Sequence, residues 1–378
     1  MKGKLVIISH TEHFLDSNGS LVGWGPTVRE INALSSHFTK IAHIAVFHNT
    51  NAPNSSVGYS TENIRFIPLQ PTGGKTLSAK LKIIWYLYSL LKVVRKELID
   101  AEFVQLRLPA GFGVFLLPYF AVTKSKRTFT FWVKYAGNWN ESKPPLSYAF
   151  QRWFLKNDFC KCMVTINGFW PNQPKHCISF ENPCLTEAQL QKGSQMLQKN
   201  KLAPPFNFIF IGRLEDAKGV GLIIEAIRKL DRSLINEVKF IGDGPKRSEY
   251  EQRTKDLNYI TFLGGMNGDL VHEELEGSNF LLLPSYSEGF PKVIAEAACY
   301  GLVPIVSDVG SISHYINANN GFVCDSKYLS KSFDFQINNA LKTDSKQLKQ
   351  KSIQVSEVAK LFTFNAYLDK LQHHIFAK

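Results

Sequence analysis

The chain has 378 residues, 44% of them hydrophobic and 20% charged, and carries a formal net charge of +12. That length exceeds a single core and suits two domains of roughly 150–200 residues; the composition is ordinary for a soluble globular protein, and no run approaches the ~18 apolar residues that cross a bilayer. The start, Met1-Lys-Gly-Lys-Leu-Val-Ile-Ile-Ser-His10, enters a strand pattern without the features of a signal peptide, so a cytosolic protein is expected. Six cysteines are scattered without a C-x-x-C pair or zinc spacing and are expected as buried thiols, with no metal centre. The charge is uneven: residues 1–185 hold 21 Lys+Arg against 10 Asp+Glu, or +11, and residues 186–378 hold 23 against 22, or +1. A basic first half predicts an acidic partner: nucleic acid, an anionic membrane or a phosphorylated substrate.

In chain order, β-rich runs at 5–9, 41–47, 64–69, 103–106, 129–133 and 163–166 alternate with helical patterns over 26–39, 77–98, 112–122 and 146–156. Such alternation predicts a parallel sheet with crossover helices. Within it, 80–96 interleaves apolar residues, Trp85 and Tyr88 with Lys80, Lys82, Lys92, Arg95 and Lys96. A helix of that kind packs on a sheet or lies on an anionic membrane. Asn167-Gly168 and Asn182-Pro183 close the first half near 185. The polar stretch 186–205 reads as a linker containing a short helix. Strands at 206–211, 238–241, 260–263, 280–283, 304–306 and 322–324 then repeat the alternation through 361. Two doubly wound α/β domains are expected to face each other across a cleft bounded by the carboxyl ends of their strands, where ligands bind in such folds. The last helix, 362–376, places Phe364, Tyr367, Leu368, Leu371 and Ile375 on one side.

The segment 281–301 carries the strongest functional signal. Leu281 to Leu283 end at Pro284, Glu288-Gly289 occupy a loop, Pro291 suits a helix opening, and Gly301 stops the helix. Backbone amides and the positive end of a helix dipole then converge on one spot, which suits a phosphate. Glu288 and Glu296, with seven residues between them, could accept from sugar and ribose hydroxyls; alternatively Lys292 and Glu296 form a surface i,i+4 pair. Upstream, Gly212-Arg213 and Lys218-Gly219 follow a strand, and two cations there would neutralise a diphosphate; otherwise they would pair weakly with Glu215 and Asp216. Gly242-Asp243-Gly244-Pro245 and Phe262-Leu263-Gly264 also follow strands, where permissive backbone could let a nucleoside approach.

These motifs, together with Pro284-Ser285, Glu296-Ala297 and Ser307-Asp308-Val309-Gly310, resemble in order and spacing the donor-binding half of the retaining glycosyltransferases of family 4 over about residues 205–325. The resemblance implies the GT-B fold, two Rossmann-like domains with the final helix packed back on the first, and a hexosyltransferase acting on a nucleotide-diphosphate sugar without a metal or other cofactor. It implies catalytic roles for Arg213, Lys218 and Glu288, with Arg213 and Lys218 on the diphosphate. It implies Glu296 on the ribose, Glu288 and the amides of Gly289 and Phe290 on the sugar, and Gly212, Gly242, Gly244, Gly264, Ser285 and Lys292 around the donor. On the acceptor side, Gly23 and Gly25 resemble the family's glycine loop, and His10, Arg107, Lys134 and Asn138 end predicted strands. Relatives commonly place a histidine near 132–140 and a glutamate where His314 stands, and this chain does neither. A glycan or lipid-linked acceptor, as in bacterial surface polysaccharide assembly at the inner face of the membrane, follows from family analogy. A nucleotide-sugar epimerase of the same fold and a basic nucleic-acid-binding module are the rivals; no nucleic-acid motif accompanies the charge.

Overall fold

Runs of Val, Ile, Leu and Phe too continuous for a one-sided sheet become parallel strands covered on both faces by helices. The computed structural model describes residues 2–71, 77–141, 143–199 and 202–377, with the backbone alone over 77–85. The chain divides into two units, Met1–Phe180 with Leu368–Lys378, and Glu181–Tyr367.

The first unit contains β1 (Lys2–Leu15), β2 (Leu21–Trp24), β3 (Phe38–Asn51), β4 (Ser56–Gly58), β5 (Ile64–Leu69), β6 (Ala101–Leu108), β7 (Thr130–Tyr135), β8 (Met163–Asn167) and β9 (Cys177–Phe180). Seven of them form a parallel sheet in the order β5-β3-β1-β6-β7-β8-β9, so the winding reverses between β1 and β6. The strands expected at 5–9 and 41–47 both run to 14 residues. Their ends outgrow the core because β1 turns back on itself: the Asp16 carboxylate accepts from the amides of Asn18 and Ser20, and β2 returns antiparallel, with β4 beyond it. Neither β2, β4 nor β9 stands out in the sequence pattern. The helix expected over 26–39 stops at Leu34, where Asn63 Nδ2 donates to the carbonyls of Ser35 and Phe38 and turns the chain into β3. The basic stretch 80–96 lies within the helix Leu77–Leu98. Trp85 and the side chains before it lie outside the described residues; further along, Leu90 and Val94 are buried and Tyr88 is exposed.

The second unit contains β10 (Phe206–Ile211), β11 (Ile235–Ile241), β12 (Ile260–Gly264), β13 (Phe280–Leu283), β14 (Val303–Ser307) and β15 (Phe322–Cys324), all parallel in the order β12-β11-β10-β13-β14-β15. Aromatic rings fill its core: Phe208 stacks on Phe280 at 5.4 Å and Phe240 on Phe262 at 4.8 Å. The stretch expected as a linker containing a short helix, 186–205, carries the helix Glu187–Lys199, and this unit begins at Glu181. The helix docks because Gly193 lets its backbone approach Cys299, whose carbonyl lies where a Cβ would stand. The chain then returns to the first unit, where Phe376 is ringed by Phe38, Phe103 and Trp132 and its carbonyl accepts from Lys2 Nζ at 2.9 Å.

A buried polar chain crosses β1 and β3. His13 Nδ1 lies 3.1 Å from the Thr11 carbonyl, His13 Nε2 2.8 Å from Tyr59 OH, Tyr59 OH 2.7 Å from His43 Nδ1, and His43 Nε2 2.7 Å from Ser9 Oγ. A carbonyl only accepts, so His13 carries its proton on Nδ1 and accepts from Tyr59 on Nε2; Tyr59 accepts from His43 Nδ1, and His43 Nε2 faces the Ser9 hydroxyl, which also bonds Thr11 Oγ1. Burial lowers both imidazoles, His13 to about 4, which keeps this one-way arrangement neutral.

Acid should therefore weaken the first unit. Between the ordinary 6.5 and about 4 the unfolded state binds the extra proton at His13, so stability falls as pH drops through that window. At pH 5 this amounts to about 2 kcal/mol for His13, or about 30-fold in hydrogen-exchange protection of the β1 and β3 amides relative to pH 7.5 after correction for intrinsic rates. His13→Gln, which can keep both hydrogen bonds, should show a distinctly shallower pH dependence. An equal dependence in that variant would place the acid sensitivity elsewhere.

Candidate functional site

In the second unit the winding reverses between β10 and β13, and at such a switch point the loops leaving the two strands diverge. The divergence is visible in the register: β10 pairs with β13 only through Phe208↔Phe280 and Ile209↔Leu281, while it follows β11 as far as Ile211. Two loops leave this opening. The loop after β10 ends in the short turn Asp216–Lys218, anchored where buried Tyr250 donates its hydroxyl to Asp216 Oδ1 at 2.8 Å. The loop after β13 is tied to that turn by the amide of Tyr286, which donates to the Ala217 carbonyl at 2.9 Å. This strap brings Lys218 Nζ to 2.6 Å from Glu288 Oε1, with both side chains largely enclosed. Arg213 points into solvent, its Nε donating to Glu215 Oε2 at 2.9 Å.

The Glu288 loop has a fixed orientation. Gly310 has φ +63°, and a Cβ on it would stand 2.1 Å from the Glu288 carbonyl and 2.3 Å from that of Gly289; the Ser311 amide donates to the Gly289 carbonyl at 2.8 Å. In a trans peptide the carbonyl and the following N–H point in opposite directions. The amides of Gly289 and Phe290 are therefore directed away from the 310–311 loop, just before the helix Lys292–Cys299, whose dipole adds positive potential. Pro291 caps that helix without an N–H of its own. The Phe290 ring is packed on Phe362 at 4.6 Å and Tyr315 at 4.7 Å, so its backbone rather than its side chain faces the opening.

The glycines along this edge have a different use from the one their sequence suggests. Gly212 donates to the Ile241 carbonyl and Gly242 to that of Gly264, and a Cβ on Gly242, at φ +129°, would meet the Gly212 carbonyl at 2.0 Å. Gly244 is equally tight against Leu214. These glycines lock successive loops together; a ligand could approach closely at Gly289, where a Cβ would meet nothing within 4 Å. Ser285 is buried, and its Oγ finds no hydrogen-bond partner among the described residues. Lys292 donates to the Pro183 carbonyl at 2.7 Å. Glu296 lies half-buried near Cys184, whose thiol is raised first by burial and then by that carboxylate.

Residues 194–355 match the family described as glycosyl transferases group 1. This segment of the chain is similar to the group 1 glycosyltransferases. Among curated proteins it is similar to a putative teichuronic acid biosynthesis glycosyltransferase, TuaC, of Bacillus subtilis, 35% identical over 28% of this chain and 25% of that one. It is also similar to an alpha-1,4-N-acetyl-D-galactosaminyltransferase of Campylobacter jejuni whose name specifies an undecaprenol-diphosphate-linked acceptor, 32% identical over 33% of this chain and 34% of the relative. The chain thus spans a quarter to a third of these relatives in the matched region. Over the whole length, it resembles a sucrose-phosphate synthase of Thermosynechococcus elongatus, TM-score 0.70 at 15% identity with 100% of both chains covered. It also resembles HepE of Anabaena in complex with UDP, TM-score 0.65 at 14% identity with 99% of each covered. The fold is GT-B.

In the first unit, several expected acceptor-side residues have other partners. Arg107 holds both oxygens of Glu30, at 2.8 and 3.1 Å, and Lys134 Nζ lies 2.6 Å from Glu30 Oε2, with all three buried. Burial would raise the Glu30 carboxyl, but Arg107 and Lys134 outweigh it and hold the group ionised, far below the usual carboxylate range. Removing Glu30 would leave two buried cations uncompensated, at a cost of about 3–5 kcal/mol. Gly23 lies in β2 against the His13 ring, and the Gly25 amide donates to the Ser55 carbonyl at 3.2 Å, so both serve packing. His10 is exposed in β1, where the parallel register with β3 shifts between Ile8 and Glu12. Asn138 is half-buried, its carbonyl accepting from Arg152. His314 is exposed against the Tyr315 ring. The supports Tyr250, Tyr286 and Ser311 are absent from the sequence expectations. Only the spacing of Gly310 after β14 could have signalled one of them.

Gly310→Ala should destabilise the second unit by roughly 1–3 kcal/mol, because the new Cβ meets two carbonyls in left-handed backbone. Gly289→Ala, with open space around it, should change thermal stability far less. Equal losses in the two variants would mean that Gly310 does not hold the 288–290 loop.

Proposed function

We propose that the protein is a retaining hexosyltransferase that moves a sugar from a nucleotide-diphosphate donor to a glycan or lipid-linked acceptor in the assembly of a bacterial surface polysaccharide, at the cytoplasmic side of the membrane. The observation that carries this reading is the meeting of Lys218 and Glu288 at the β10/β13 switch point, beside two amides aimed away from their buttress. A diphosphate entering there would find Lys218 Nζ, and Arg213 could leave its exposed pair with Glu215 at little cost. Glu288, relieved of Lys218, would accept from donor-sugar hydroxyls, and the Gly289 and Phe290 amides would donate to the same sugar. Glu296 would take the ribose, as the family resemblance implies. The UDP bound by HepE makes a uridine nucleotide the first donor to test, and the Campylobacter relative supports a polyprenyl-diphosphate-linked acceptor.

The chemistry follows from charge. Cleaving the anomeric bond leaves negative charge on the departing diphosphate, and preorganised cations and amides stabilise that charge more than they stabilise the intact donor. Attack from the face of departure retains the anomeric configuration, with the leaving phosphate oxygen taking the proton of the acceptor hydroxyl.

Lys218→Ala and Glu296→Ala should each lower transfer by more than about a hundredfold while leaving the melting temperature within a few degrees of wild type. Donors are ranked first by a thermal-shift panel of UDP-, GDP- and ADP-sugars, because a ligand bound only by the folded chain raises its melting temperature. Wild-type turnover in either variant would overturn the assigned roles. Release of nucleoside diphosphate without any dependence on an acceptor would favour the epimerase reading.

A further inference from the structure

The loop that leaves β7 folds back along one flank of the helix Leu146–Lys156 and is clamped there. Arg152 of that helix, itself buried, donates through Nη1 to the carbonyls of Asn138 and Trp139 at 3.3 and 2.7 Å, and through Nη2 to that of Glu141 at 3.1 Å. Trp139 is fully buried, its Nε1 donating to Gln173 Oε1 at 2.6 Å, and Asn138 Oδ1 accepts from the Asn140 amide at 3.1 Å. Loop and helix border an open groove of about 490 Å³, within the roughly 300–1,000 Å³ of ligand sites.

Trp153 lines this groove and is 54% exposed. Its indole is held by the rings of Phe150 at 6.0 Å and Phe159 at 5.2 Å, so it is fixed while more than half of its surface stays free. Leu146, two turns earlier on the same stripe, is 90% exposed, and no described residue covers this flank. A shelf already held in place costs little ordering when a ligand lands on it.

The polar groups of the groove divide by their partners. Arg152 spends its guanidinium on three carbonyls, and Lys156 Nζ lies 5.5 Å from the centroid of the Trp139 ring. What stays available is uncharged or acidic. Among the described residues the side chains of Asn140 and Glu141 have no hydrogen-bond partner, and Asn157, whose Nδ2 donates to the Trp153 carbonyl at 2.8 Å, keeps its Oδ1 free.

We infer that this groove is a second carbohydrate site, which holds a flat, equatorially substituted hexopyranose of a neutral glycan, apart from any donor sugar at the β10/β13 opening. Such a ring has an apolar C–H face and a rim of hydroxyls. The face leaves water against the Trp153 indole. The hydroxyls, which both donate and accept, meet two carboxamides and a carboxylate that answer both roles. A nucleic acid also stacks on an indole, but here its phosphates would meet Glu141 and find Arg152 and Lys156 already engaged. The inference does not rest on the transfer chemistry: none of these residues belongs to the Lys218–Glu288 site, so loss of transfer and loss of this binding are separate results.

The test is fluorine NMR of the full chain labelled with 5-fluorotryptophan, in which Trp153→Phe identifies the Trp153 resonance among six tryptophans. Cellohexaose, whose rings present flat C–H faces, should shift that resonance. Sorbitol, with hydroxyls but no ring face, and an oligothymidylate should leave it in place. By calorimetric titration with cellohexaose, Trp153→Ala should lower the affinity at least about tenfold. Asn140→Ala with Glu141→Ala should lower it about fivefold or more. Both variants should keep the wild-type melting temperature because the side chains are exposed. No shift with cellohexaose, a shift matched by sorbitol or the oligothymidylate, or undiminished binding in Trp153→Ala would each overturn the proposal.

Discussion

The candidate site depends on one topological constraint: in a parallel sheet wound outward in both directions from its first strand, the loops of the first and fourth strands must part. In the second unit those strands are β10 and β13, whose ladder ends after two residue pairs. Lys218 and Glu288 are 70 residues apart in the chain and meet at 2.6 Å because they leave this opening from opposite sides. Neither residue would be special on its own helix or loop. The reversal of winding gives each of them the other.

Around that opening, side chains and backbone divide the work. Glycines lock loop to loop, Gly212 to Gly242 to Gly264 on one side and Gly310 against Glu288 and Gly289 on the other, so the carbonyls are engaged inward and the amides are aimed outward. An amide oriented in this way needs no rearrangement when negative charge arrives, which is the physical content of preorganisation. The cost lies in tolerance: a single methyl at Gly242 or Gly310 collides with backbone that cannot move independently.

Much of this was legible in the sequence because short-range rules and topology coincide. The strands β10 and β13 announce themselves as largely apolar runs, and Pro291 and Gly301 bracket the helix between β13 and β14 almost at its observed ends, Lys292–Cys299. What the sequence concealed was long-range pairing. Arg107 and Lys134 stand at strand ends, where a cleft-facing role is the natural expectation, and only folding reveals that Glu30, from a helix of unremarkable pattern, binds both. The polar stretch 186–205 looked like a linker because its helix is poor in apolar residues; it docks through a glycine, a contact no periodicity reports. β2 and β4 were missed because strands of four and three residues carry too few side chains to show an alternation.

The charge asymmetry takes on meaning from the same accounting of partners. In the second unit the cations are balanced locally, Lys218 by Glu288, Arg213 by Glu215 and Arg247 by Glu251, consistent with a half that is nearly neutral. In the first unit the cations at the strand ends, Arg107 and Lys134, are buried against Glu30, so they are not what makes that half basic toward the outside. The excess resides in the outer layer, on exposed cations that include Lys40, Arg65, Lys92, Arg95, Lys96 and Lys175 as well as Lys124, Lys126, Lys143, Lys156 and Lys161 around an apolar face. A surface kept basic merely for solubility would not be expected to gather its lysines around exposed Leu146 and Trp153, because exposed apolar area works against solubility.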